Sequence, residues 1–504
     1  MMRAWASVAV VLVAGIGTMA VFSNEPGDVP PAGAQAAPTV ISTSISECKI
    51  CHSGPTVGLR DYTEKFGSDK FIKLTESLDW EQNDPHSVPF AQHMKSDLGK
   101  KMLAKYPNAT TNAACLTCHA VDTHQAKDRF AGVESNGIGC SGCHGLVKEW
   151  QSKHYESQTG EKVDWREWSV EKKSAAGMKN LRDPAIKANL CVSCHVGSPS
   201  EGKVITHDMY AAGHPPLPPF ELLTFMDGEP KHWGTPFDES LSYFHSLDAK
   251  KARELFSYHK SEGASGYAAR HVAAGAIAAL RAEVSLHAAE AKALPAHAGL
   301  DYARFDCYAC HHDLKIPSDR QSRGYDGPPG RPPVKAWVGT MASVVAEHLG
   351  EKRKSEFAKL WSELKVEMYS KPYGNPLTVG PKAEQIVAWC NDVEKELAAS
   401  KAFEGEGARK LHARIAATAR DVKVAADPEA VMSLVWAYRG LSKSMGATES
   451  LDSLKPYLPL TVREASSRIV NERVVPVTAG EATGPRMKTF VNYSAAEFLK
   501  RFPK

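Results

Sequence analysis

The stretch Gly137-Ile-Gly-Cys-Ser-Gly-Cys-His-Gly145, followed by Trp150 and His154, decides how the chain is read. Cys140 and Cys143 stand three apart and His144 follows at once. Two thiols at that spacing can form thioethers to the two vinyl groups on one edge of a porphyrin. The adjacent imidazole then lies under the ring and ligates iron, which is the c-type haem attachment pattern. Glycines at 137, 139, 142 and 145 let the backbone pass close to a flat macrocycle.

The pattern occurs five times: Cys48/Cys51/His52, Cys115/Cys118/His119, Cys140/Cys143/His144, Cys191/Cys194/His195 and Cys307/Cys310/His311. Ten of the eleven cysteines are used, and 20 His in 504 residues makes five such followers a chance of roughly one in ten million. A zinc ribbon needs paired knuckles and gives no reason for a His after each. A disulfide framework gives no reason for fixed i,i+3 pairs. Five covalently bound c-type haems are expected, with the ten cysteines as attachment points and the five histidines as proximal iron ligands.

Lys+Arg of 61 against Asp+Glu of 58 leaves little net charge and no basic block, so nucleic acid is not an expected partner. Hydrophobic residues make up 43%, slightly low for a globular chain, and buried porphyrins would supply the missing apolar surface. Residues 1–22 hold Arg3 and then an uncharged apolar run, read as a signal peptide cleaved near Ala20 or Ala36 or as a retained anchor. Either form implies an extracytoplasmic, periplasmic location, where c-type attachment takes place. Residues 23–46 read as a flexible linker.

The expected fold is mainly α with extensive irregular loops. A pentahaem domain over 47–324 would be followed by a helical domain without haem over 325–504, the two joined by the Pro/Gly run Tyr325 to Pro333. Helical spacing is read over 96–105, an Ala-rich 267–294, 335–369, 382–400, 407–422 and 429–446. The small residues of 267–294 could lie flat against a ring. Asp427-Pro428-Glu429 predicts a helix start, and Cys390 is expected in a helical core.

A haem iron's sixth position decides its use: a second His makes an electron carrier, and an open position makes a binding site. Here a resemblance enters. Trp80…Asp84-Pro85-His86, Cys115-Leu-Thr-Cys-His119, Gly137 to Gly145 with His154 beyond, and Cys191-Val-Ser-Cys-His-Val-Gly197 resemble the cytochrome c-554 family over about half of the chain. The blocks His207 to Pro215 and Arg304 to Asp313 are similar to larger multihaem relatives. The resemblance implies a His52–His154 pair at the first haem and a His144–His86 pair at the third, with His93 in reserve for the latter. The fourth and fifth haems are expected to draw on His207, His214 and His232, with His214 first for the fourth. His271 and His287 are weaker candidates, and His312 a non-ligand. At the second haem the family counterpart can lack a sixth ligand, so an open iron at His119 is expected, with Asp122, His124 and Asp128 as nearby proton donors.

The expected function is an exported electron carrier working between redox protein donors and acceptors. Alternatives are a haem enzyme acting on hydroxylamine, nitric oxide, nitrite or a sulfur compound, and a cytochrome docked to a membrane redox complex by its helical tail.

Overall fold

The structure is a computed structural model. It describes residues 45–53, 75–109, 112–120, 137–145, 147–155, 165, 168–230, 265–311, 316–317, 321, 327–447, 450–465, 467–470, 473–476 and 493–503. The leader, His124 with Asp122 and Asp128, His232, and His312 lie outside the described residues, as does the side chain of Cys51.

Among the described residues the chain is mainly α-helical, with one antiparallel hairpin of β1 (Ser467–Val470) and β2 (Arg473–Pro476). Short helices carry the first four CxxCH motifs. They are α1 (Ile45–His52), α4 (Ala113–His119), α5 (Cys140–His144) and α7 (Pro184–His195). Between them come α2 (Glu76–Asn83), α3 (Asp97–Lys105) and α6 (Val147–Tyr155), and α8 (His207–Ala211) follows α7. The starts of these helices are set locally. Ser96 Oγ accepts from Gly99 N at 3.0 Å to open α3. Asn112 Oδ1 accepts from Ala114 N at 2.9 Å to open α4, and Asp183 Oδ1 accepts from Ala185 N at 2.8 Å, with Pro184 at the first position of α7. In α4 and α7 the proximal His is the last residue of its helix.

The other layer is a packed helical array. Helix α9 (Ser265–Ala293) runs through its middle. Around it stand α10 (Ala336–Leu349), α11 (Glu351–Ser370), α12 (Pro376–Ala399), α13 (Glu406–Ala419), α14 (Pro428–Ser444) and, at the end, α15 (Ala495–Arg501). Helix α9 packs most extensively on α12, then on α7 and α10. Its small residues permit close crossings: a Cβ on Gly275 would meet Leu222 Cβ at 2.8 Å. The expected single segment 335–369 is two helices, because Gly350 takes φ +122 and breaks the helix there. Asp427 caps α14 through Ala430 N at 2.8 Å, and Cys390 is fully buried in the array.

The core is continuous from Ala188 to Phe502. A polar lock runs through it: Arg281 of α9 binds Glu394 and Asn391 of α12 at 2.7 Å each, and Asn189 of α7 binds Glu394 at 2.6 Å. The Pro/Gly run ending at Pro333 thus connects two parts of one core, where the sequence reading placed a domain boundary at 325. The physical reason lies in α9. Its alanines, expected against a ring, are covered by α12, α7 and α10 instead. The same helix is long and apolar enough to cross a membrane, yet most of it is buried among these neighbours. Away from this core, the described motif-bearing loops hold two small apolar clusters, Phe90/Leu116/Ala120 and Met102/Tyr106/Ala109/Met209.

Candidate haem sites

Each of four CxxCH histidines faces a second imidazole. The ring centroids of His52 and His154 are 6.4 Å apart, and those of His86 and His195 are 6.1 Å apart. His119 and His214 stand 6.2 Å apart, and His207 and His311 stand 6.3 Å apart. Two imidazoles on opposite faces of one metal, each with a metal–nitrogen bond of about 2 Å and a nitrogen about 1.1 Å from its ring centre, have centroids about 6.2 Å apart. All four pairs match that separation. Their interplanar angles range from 18° to 78°, which ligation permits because each ring turns freely about its own metal–nitrogen axis.

The outer nitrogens of four of these rings are engaged. His52 Nδ1 bonds Glu76 Oε2 at 2.8 Å, and His86 Nδ1 bonds Asp84 Oδ1 at 2.9 Å. His214 Nδ1 donates to the Pro215 carbonyl at 2.8 Å, and His154 Nδ1 donates to the Gln151 carbonyl. Such a bond fixes the tautomer and leaves Nε2 with its lone pair free to ligate.

Burial acts in the same direction. It takes His119 down to about 3, aided by the neighbouring His214, His93 and His195, and His195 down to about 4, aided by His86. His154 and His214 are lowered, also chiefly by burial. A neutral imidazole is the form that binds metal. His52 is raised by its Glu76 hydrogen bond. At His86 burial pulls down, but the bond and charge of Asp84 outweigh it and the net is upward.

The residues therefore fit a haem. Each facing pair would hold the group between two imidazole nitrogens, and the motif thiols would anchor it covalently. Among the described residues no group of three or more His, Cys, Asp or Glu is gathered to hold a bare ion.

The motifs also adjoin one another out of sequence order. Cys140 hydrogen-bonds Cys48, so the third motif meets the first. Cys118 and Cys194 hydrogen-bond, which with Lys203 pulls Cys194 down to about 6, so the second motif meets the fourth. Burial pushes the Cys143 thiol up to about 12, with a contribution from Cys194, which places the third motif beside the fourth.

The motif cysteines are not all alike. Cys48, Cys115, Cys118, Cys140, Cys143, Cys191, Cys194 and Cys307 are half-buried, whereas Cys310 is exposed. The cause is local. The first four motifs lie in α-helices, but the fifth is a single 3₁₀ turn over Cys307–Ala309, which Cys310 leaves at φ −121 without continuing a helix. The fifth site therefore presents one of its two thiols to solvent. Of the first motif, Cys48 and His52 are placed, while the expected attachment atom of Cys51 lies outside the described side chains, although its backbone belongs to α1.

Several expectations about the histidines change. His86 faces His195 of the fourth motif and not His144. Its backbone is tied to the third motif, since Ile138 N donates to the His86 carbonyl at 2.7 Å and Trp80 Nε1 donates to the Ile138 carbonyl at 3.0 Å. Its ring, held by Asp84, points on to the fourth. His214 faces His119 of the second motif and not His195, so the site expected to be open has a second imidazole facing its CxxCH histidine. His93 also lies against His119, at 5.7 Å, and so is not placed as a reserve for the third motif. His207 serves the fifth. His144 ends α5, with its carbonyl accepting from Lys179 N at 3.0 Å.

His271 and His287 are buried within α9, where His271 Nδ1 meets the Tyr267 carbonyl at 2.8 Å. His348 and His412 are engaged inside the array by the Ala402 carbonyl and by Ser442 Oγ. Of the two tyrosines beside the fifth motif, Tyr302 packs edge-on against His207 at 5.3 Å and Tyr308 is buried. Sequence reasoning missed the Nδ1 partners Glu76 and Asp84. For Asp84 the signal was present, because it stands two residues before His86.

No family model, curated protein or solved structure matches the chain.

Proposed function

We propose that the chain is an exported multihaem c-type cytochrome, similar in motif order to the cytochrome c-554 family, that carries electrons through five covalently bound haems. The observation that carries this reading is the set of four imidazole pairs, each one metal's width apart, in which one member of every pair belongs to a CxxCH motif. Haem supplies a one-electron couple at each site.

The chain's own residues do the rest. The cysteines fix each group by two thioethers, and the paired imidazoles close both faces of the iron, which favours electron transfer over substrate binding. Glu76 and Asp84 raise the basicity of His52 and His86 through Nδ1. The crossed pairs tie loops far apart in sequence, residues 52 with 154 and 119 with 214, so a scaffold with little apolar core of its own is held at fixed spacing. The contiguity of the first motif with the third, the third with the fourth and the fourth with the second gives electrons a path among four sites. Redox proteins outside the cytoplasm, free or in a membrane complex, are the partners of such a carrier.

The His214–His119 pair favours the carrier over an enzyme acting on hydroxylamine, nitrite or sulfite at the second site. Nitric oxide or cyanide added to reduced and oxidised protein tests this. The sites of His52, His119, His195 and His311 should show no spectral change. Cyanide binding at His119 with turnover of one of those small molecules would replace the carrier with the enzyme.

A further inference from the structure

The fifth motif is more than 100 residues from the fourth in sequence, and nothing in its spacing says which site it adjoins. The answer lies in α8 and the turn after it. His207, the first residue of α8, faces His311 of the fifth motif. Seven residues on, His214 faces His119 of the second. Helix α8 ends at Ala211, and the turn after it brings His214 N back onto the Met209 carbonyl, so a short piece of chain places one imidazole at each of two neighbouring sites.

Both ends of this connector are fixed. His207 N donates to Asp301 Oδ1 at 2.8 Å, and Arg304 Nη2 donates to the Ile205 carbonyl at 2.7 Å, which fastens it to the segment leading into Cys307. At the other end His214 N donates to the Met209 carbonyl at 3.0 Å, across Gly213 at φ +118. Met209 is buried in a cluster with Met102, Tyr106 and Ala109, against which Ala114 and Cys115 of the second motif pack. Tyr210 of the same helix packs beside the second site, its ring 6.0 Å from that of His214.

We propose that the second and fifth sites are adjacent partners in electron transfer, held side by side by the short connector that bears His207 and His214, so that the path runs first, third, fourth, second, fifth. The inference rests on the reading of the chain as a multihaem cytochrome. In the step one electron leaves a ferrous iron at one site and reaches a ferric iron at the other. No bond is made or broken.

The test uses the full five-haem protein with His207→Met, which raises the fifth site's potential and gives it a separate spectral band. The oxidation state of the fifth site should shift the midpoint potential of the second, marked by His214→Met, more than that of the fourth, marked by His86→Met. An equal or larger shift at the fourth overturns the adjacency. A mature protein whose mass shows no attached haem removes the functional reading itself, and that outcome is distinct from either of these.

Discussion

The His86 ring stands 6.1 Å from that of His195, although the His86 carbonyl is hydrogen-bonded to Ile138 in the loop of a different motif. One residue thus serves two sites, holding the third motif's loop with its backbone and facing the fourth motif's histidine with its ring. The hydrogen bond from its Nδ1 to Asp84 sets that division, because it fixes where Nε2 points.

Double variants test the pairing. His86→Ala should convert one low-spin iron to high spin, and His86→Ala with His195→Ala should affect that same single iron. His86→Ala with His144→Ala should affect two. Counting high-spin irons in the oxidised protein reads this directly, and two altered irons in the first double variant would dissolve the pair.

His214→Ala should open the second site. The expected result is one new cyanide-binding, high-spin iron, with the loop at Gly213 loosened because a cross-link is lost. An unchanged low-spin count would mean that His93, at 5.7 Å from His119, takes the position.

Glu76 accepts a charge-assisted hydrogen bond from His52. Glu76→Gln should weaken the imidazole as a donor and raise the first site's midpoint potential by roughly 40 mV, equivalent to about 1 kcal/mol for one electron. A site-resolved redox titration checks this. A fall in potential would mean that Glu76 acts otherwise than through Nδ1.

A Cβ on Gly137 would lie 2.1 Å from the His86 carbonyl oxygen. Gly137→Ala must therefore push the 84–88 loop away and should cost at least about 2 kcal/mol through lost backbone bonds and strain. The effect should appear as loss of low-spin character at the site of His195, although the substitution is in the third motif.

Arg281 joins α7, α9 and α12. Arg281→Ala should lower stability by about 2 kcal/mol, since it leaves Glu394 without its cation. A chain ending at Gly324 should be insoluble or lose the helicity of α9, because its apolar faces would meet water. A soluble truncated chain with all five haem signals would show that the motif-bearing part folds alone.

The five CxxCH motifs are legible in the sequence because two thiols and an imidazole at fixed local spacing are what a sequence displays. The helix starts at Ser96 and Asp427 were legible for the same reason, since a cap is a matter of three or four consecutive residues. How far each thiol is enclosed was not legible: Cys310 has the same spacing as Cys194, yet its turn leaves it at the surface. Facing histidines were not legible from spacing either, because a ring can meet its partner across any length of chain. His86 and His214 each went to a site other than the expected one, the first directed by Asp84 and the second by the turn at Gly213. The place of α9 was likewise decided only in three dimensions. An alanine-rich face suits a flat ring or another helix equally well, and the tertiary structure set it against α12, α7 and α10, where close helix packing buries it and makes one core of the two halves.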